Sequence, residues 1–192
     1  MRKSRNFVNS ESDLLTCIGM FASLKLNKRL SDDADLMISQ LRTKSRGSRS
    51  RFIAVDLKQE RVTSEKCCFN VKEIVRFLKK MGYSKDTVIY TTEDSNHLRE
   101  AFPRTLTKGD LGKREFAGGA VERAIDLEVC SRSEVFVAGG PGMFYANVVG
   151  QRVAKGKTKV LVPASVPGGS PVATHLSPYL SKKTHVAFTC FC

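Results

Sequence analysis

The chain has 192 residues, 41% hydrophobic and 27% charged, which suits one domain with a sizeable core. Thirty-two Lys and Arg against 19 Asp and Glu give a formal net charge of +13, which favours phosphate-bearing or other anionic ligands. No uncharged apolar run reaches the roughly 18 residues of a membrane span, no secretory apolar segment follows Met1, and no RNP, zinc-finger or helix-turn-helix signature accompanies the charge, so a membrane span in this chain and a nucleic-acid partner are both set aside.

Residues 1–27 read as a poorly defined N-terminal segment with one apolar patch, Cys17–Leu26. Ser31, followed by Asp32, Asp33 and Asp35, suits a helix N-terminus and its dipole, and Leu36, Met37, Gln40 and Leu41 carry the helical pattern to about Thr43. A polar linker crowded with Lys44, Arg46, Arg49 and Arg51 follows. Phe52–Leu57 is apolar on both faces, as a central parallel strand requires. Asn70 and Glu73 have capping-box spacing, Val71, Ile74, Val75, Phe77 and Leu78 form an apolar face, and Gly82 suits the helix end. Thr87–Thr91 is the next strand and Asn96–Ala101 a short helix.

Glu115–Cys130 reads as a helix carrying Asp126, and Glu134–Ala138 as a strand. Gly139, Gly140, Pro141 and Gly142 make a flexible loop that opens onto a helix, Met143–Ala154, and Lys159–Val162 is the last strand. Alternating strands and helices predict an α/β fold: a Rossmann-like parallel sheet with helices on both faces, over residues 28–164. The Pro-, Gly- and Ser-rich residues 165–192 read as an irregular tail. Ligands of such sheets lie at the carboxyl ends of the strands, where Asp56-Leu57-Lys58, Thr91-Thr92-Glu93 and Gly139–Gly142 all fall. The glycine loop lacks both GxGxxG and a P-loop Lys-Ser/Thr, so its force comes from this convergence on one edge.

Other chemistry finds less support. The six cysteines form no CxxC pair, which argues against zinc and leaves buried thiols as the default. His97, His175 and His185 have no matching acid and nucleophile, and Ser131 and Ser133 lie outside a GxSxG setting, so a hydrolase triad is not indicated. Glu93 is a minor acid-base candidate, and Phe136 and Phe144 read as core. No acid follows Glu134, whereas Arg152, Lys155, Lys157, Lys159, Lys182 and Lys183 do; these are a solvated basic face or an attractor for a nucleotide diphosphate.

Three stretches carry a resemblance. FIAVDLK (Phe52–Lys58), AIDLEVCSRSEVFV (Ala124–Val137) and PGMFYANVVGQR (Pro141–Arg152) are similar, in order and separation, to motifs of the GDP-fucose protein O-fucosyltransferase family, in its plant branch and its mannan synthesis-related members. The resemblance implies the C-terminal half of a two-domain GT-B glycosyltransferase. It implies inverting transfer with no metal or other cofactor, a GDP-sugar donor, a glycan or glycoprotein acceptor, a mannan synthase as partner, and a Golgi location. An anchor and signal would then lie outside this chain.

By the resemblance, Lys58 takes the catalytic role of the family's Arg at the leaving diphosphate. Backbone N–H groups of Gly142, Met143 and Phe144 hold phosphate oxygens, Asp126 recognises the guanine side, and Asp56 occupies the position of a His found in many members. Lys58 brings charge without the planar fork of Arg. Asp56 brings an anion next to an anionic ligand unless Lys58 or Arg61 pairs with it. A non-catalytic nucleotide-sugar-binding or scaffold module is the alternative reading.

Overall fold

The computed structural model describes residues 15, 18–23, 25–45, 51–57, 69–112, 119–140, 142–157 and 159–163. Five short apolar runs in these residues form one sheet: β1 (Ile53–Asp56), β2 (Ile89–Thr91), β3 (Thr105–Leu106), β4 (Val135–Ala138) and β5 (Val160–Leu161). All neighbouring pairs are parallel, in the order β3-β2-β1-β4-β5, so the chain steps outward from β1 twice and then returns to build on its other side. β1, β2 and β4 are buried along their whole length, which is why they read as apolar on both faces.

The helices are α1 (Lys28–Lys44), α2 (Val71–Lys80), α3 (Asn96–Ala101), α4 (Lys108–Leu111), α5 (Gly119–Arg132) and α6 (Met143–Ala154), with a π-helical turn at Ile18–Ala22. Strand alternation separates two cores. Ile53, Val55, Ile89, Val135 and Val137 pack with Ile74, Phe77 and Leu78 of α2 and with Leu98 of α3. Ala54, Tyr90, Phe136 and Ala138 face the other way, against α1, α5 and α6 through Met37, Leu41, Ile125, Val129, Phe144 and Val148. The fold is thus the expected α/β, Rossmann-like sheet with helices on both faces. No described helix is long and apolar enough to cross a membrane.

The local signals at α2 hold in detail. Asn70 accepts from the Glu73 N–H at 3.0 Å while Glu73 accepts from the Asn70 N–H at 2.9 Å, and Gly82 takes a left-handed φ of 84° just past the helix end. Elsewhere the boundaries move. α1 begins one turn before Ser31, because Asn27 caps it by accepting from the Leu30 N–H. α5 runs over Gly119–Arg132, and the first residues of the expected Glu115–Cys130 helix lie outside the described residues. β3 and α4 occupy a stretch with no assigned element: at two and four residues they are too short to show a period.

Arg152 also differs from the reading as surface charge. It is fully buried in α6. Its guanidinium donates to the carbonyls of Cys130 and Ser133 at the end of α5, and to those of Glu134 and Lys159 ahead of β4 and β5. A cation there complements the C-terminus of α5 and adds donors to carbonyls at the starts of β4 and β5. Burial lowers its pKa to about 10.

Candidate functional site

The carboxyl edge of the sheet concentrates charge. Asp56 ends β1 on the face shared with Ala54, directly opposite Ala138 of β4. Its carboxylate is almost wholly buried, and three donors hold it. Arg123 of α5 gives Nη1 to Oδ1 at 2.8 Å and Nη2 to Oδ2 at 3.2 Å, and the Thr92 hydroxyl donates to Oδ1 at 2.8 Å. The same hydroxyl accepts from the Leu57 N–H at 3.0 Å, and the Thr92 N–H donates to the Val55 carbonyl, which ties the tips of β1 and β2 together. Among the described residues Asp56 pairs with Arg123; Lys58 and Arg61, the partners considered from the sequence, lie outside them.

The Arg123 guanidinium also lies over the ring of Phe144, 3.3 Å from its centroid. Such a contact is favourable because the ring face is negative. It links the tip of β1 to the first turn of α6. Phe144 is the core residue that its pattern indicated, and its neighbour Met143 is the most exposed large apolar side chain of the described residues.

Two glycines shape this edge. A Cβ on Gly139 would come within 2.3 Å of the Asp56 carbonyl oxygen, so the chain leaving β4 passes β1 at a distance only glycine permits. Gly142 caps α6 with φ of 145°, a conformation that side chains disfavour. Together they turn the chain from β4 directly into a helix start, which aims N–H groups and positive dipole at the edge.

Asp126 lies one turn beyond Arg123 on α5 and is fully buried. The Tyr90 hydroxyl donates to its Oδ1 at 2.6 Å, and Lys108 Nζ donates to both oxygens at 3.1 and 3.2 Å. Burial raises its pKa despite these partners, and burial together with this carboxylate pushes the Tyr90 phenol well above its usual value. Lys108 also donates to the Thr92 carbonyl at 3.2 Å and stands 3.8 Å from Glu122. α4, four residues long, positions it. Asp110 in α4 accepts from Arg99 of α3 at 2.7 Å and from the Thr107 N–H and hydroxyl.

Asp56, Asp126, Gly142, Met143 and Phe144 thus share one edge, formed by β1, β2, β4, α5 and the start of α6. Lys58, two residues past Asp56, lies outside the described residues. Sequence reasoning placed Thr92 at the strand ends but missed Arg123, Lys108 and Tyr90. The i, i+3 spacing of Arg123 and Asp126 was a visible sign that both face one way, but the Asp56 partner is 67 residues distant in sequence.

These features define an α/β protein with a Rossmann-like parallel sheet and a charged, glycine-shaped carboxyl edge. No family model matches the chain, and no solved structure matches it. Among curated proteins, it is 42% identical to Protein MANNAN SYNTHESIS-RELATED 1 and 40% identical to Protein MANNAN SYNTHESIS-RELATED 2, both of Arabidopsis thaliana. Each alignment spans 100% of this chain and 50% of the relative. It is also 31% identical to O-fucosyltransferase 24 of Arabidopsis thaliana, over 54% of this chain and 20% of that protein. The chain is thus related along its whole length to the mannan synthesis-related proteins and over about half of it to an O-fucosyltransferase, and it spans about half the length of the mannan synthesis-related relatives it matches.

Proposed function

We propose that the chain is the donor-binding half of a glycosyltransferase of the O-fucosyltransferase type, the C-terminal half of a GT-B architecture. It takes a GDP-sugar and serves transfer to a glycan or glycoprotein acceptor in mannan-related synthesis in the Golgi. The observation that supports this best is the carboxyl edge between β1 and β4. There the order of the sheet reverses, and a guanidinium, a buried aspartate and a glycine-led helix start meet. Inverting transfer builds negative charge on the departing diphosphate as the sugar becomes cationic. Cations and preset N–H donors at that diphosphate lower the barrier because they interact more strongly with the transition state than with the bound donor.

In this reading Lys58 is the cation acting on the leaving group, and the N–H groups of Gly142, Met143 and Phe144 hold phosphate oxygens. Asp56 steadies Arg123 next to them, and Asp126 keeps Lys108 at the same edge. No metal or other cofactor is needed, because lysine and N–H donors carry the charge. A mannan synthase is the partner that the relatives' printed names suggest.

Calorimetry with GDP, paired with a donor-hydrolysis and transfer assay, tests the proposal. GDP binding is expected, and Lys58→Ala should lower turnover roughly 10²-fold, the cost of removing one donor to a developing anion. Absence of GDP binding would overturn the reading, and unchanged turnover would remove Lys58 from it. Binding without turnover in wild type would favour the second reading, a nucleotide-sugar-binding module that supports a glycan synthase. That reading draws on Asp56, an anion at the strand tip already closed onto its own cation.

A further inference from the structure

On the face of the sheet opposite Arg123 and Phe144, α2 and α3 border a shallow, open cleft of about 480 Å³. Lys72, Val75, Arg76 and Lys79 line it from α2, and His97, Glu100 and Ala101 from α3. On α2 these positions follow helical spacing, so the three cations form one stripe about 10 Å long. Among the described residues, no side-chain hydrogen bond or ion pair engages Lys72, Arg76 or Lys79, whereas Arg99 of α3 is held by Asp94 and Asp110. Among the described residues Glu100 is the sole acid lining the cleft, and it stands 3.7 Å from His97 Nδ1 on the far rim.

We propose that this cleft docks an acidic peptide segment of a protein partner, which lays a small apolar side chain over Val75 and Ala101 and carboxylates against Lys72, Arg76 and Lys79. The shape argues for a peptide. The surface is concave and its apolar residues are half-buried, so nothing protrudes as a membrane-inserting face would. Among the described residues no Phe, Tyr or Trp lines it, and the single ring at its rim, His97, makes no platform for successive bases. The stripe matches carboxylates spaced along one face of a helix or a short extended segment, and charge complementarity of this kind sets partner choice and association rate. Glu100 gives the cleft a polarity, by accepting a cation at one end of the acidic segment.

The test uses the full chain and a fluorescently labelled poly-glutamate peptide, read by anisotropy at low salt. Two triple charge reversals of equal net charge are compared. One is in the cleft (Lys72→Glu, Arg76→Glu, Lys79→Glu); the other is at exposed cations remote from it (Lys25→Glu, Lys28→Glu, Arg29→Glu). The cleft variant is expected to bind about tenfold more weakly or worse, as the loss of three exposed charge pairs implies, and the remote variant to stay within about twofold of wild type. If the cleft reversal fails to fold, the milder set Lys72→Gln, Arg76→Gln, Lys79→Gln replaces it with the same direction expected. Equal losses in both variants, or no peptide binding in wild type, would overturn the proposal. So would cleft-dependent binding of phosphatidylserine vesicles in place of the peptide.

Discussion

Arg123 joins three elements through one planar group: two nitrogens on the buried Asp56 carboxylate and a face on the Phe144 ring. Removing it strands an anion that is 6% exposed. Arg123→Met should therefore destabilise the chain by about 3 kcal/mol in urea unfolding, the usual cost of breaking a buried pair. Adding Asp56→Asn should recover part of that loss, because the stranded charge goes with it. Strict additivity of the two losses would mean that the pair is not coupled. Asp126 gives a prediction of opposite kind. Burial raises its pKa above the unfolded value, so the folded state binds its proton more tightly, and the stability this brings is present below the unfolded pKa and lost as pH rises through the folded one. The stability of wild type relative to Asp126→Asn should accordingly fall from acid to neutral pH; a relative rise would show that Tyr90 and Lys108 outweigh burial.

At the scale of elements, the carboxyl edge depends on how β4 hands over to α6. Gly142 holds φ of 145° and Gly82 holds φ of 84°, both without Cβ, but only Gly142 opens a helix onto the site. Gly142→Ala should cost about 2 kcal/mol through backbone strain and weaken GDP binding by about tenfold or more as the helix start is re-aimed. Gly82→Ala should cost about 1 kcal/mol and leave GDP binding unchanged. Equal effects on GDP would show that strain alone is being read. Both glycines were visible in the sequence, as were the α2 capping box and the buried strands, because each is a local rule written over a few residues. β3, α4 and the Asp56–Arg123 and Asp126–Lys108 pairs were not. Two-residue strands and four-residue helices have no period to detect, and the pairs form only once β1 lies next to β4 and α5 crosses above them. The same holds for Arg152, whose role as a donor to five carbonyls exists only after α6 packs on the end of α5.

For the whole molecule, charge sets the balance. The net charge of +13 in 192 residues implies self-repulsion in the compact state, and no acid follows Glu134 to relieve it. Against this stand pairs near the surface: Arg99 with Asp94 and Asp110, Arg132 with Asp35, and Lys159 with Glu134. Salt weakens both terms, but not equally. Pairs of this exposure contribute a few tenths of a kcal/mol each, while repulsion sums over every unmatched cation within a Debye length, roughly 30 Å at 0.01 M and 8 Å at 0.15 M. Repulsion therefore loses more when salt is added. The melting temperature should rise by roughly 2–4 °C between these two ionic strengths, equivalent to about 1 kcal/mol in a chain of this length. A control at constant ionic strength with added sulfate separates screening from anion binding, since bound anions would raise the melting temperature further with sulfate than with chloride. A melting temperature that falls with sodium chloride would mean that the surface pairs outweigh the repulsion, and that the positive charge is arranged more evenly than its sum suggests.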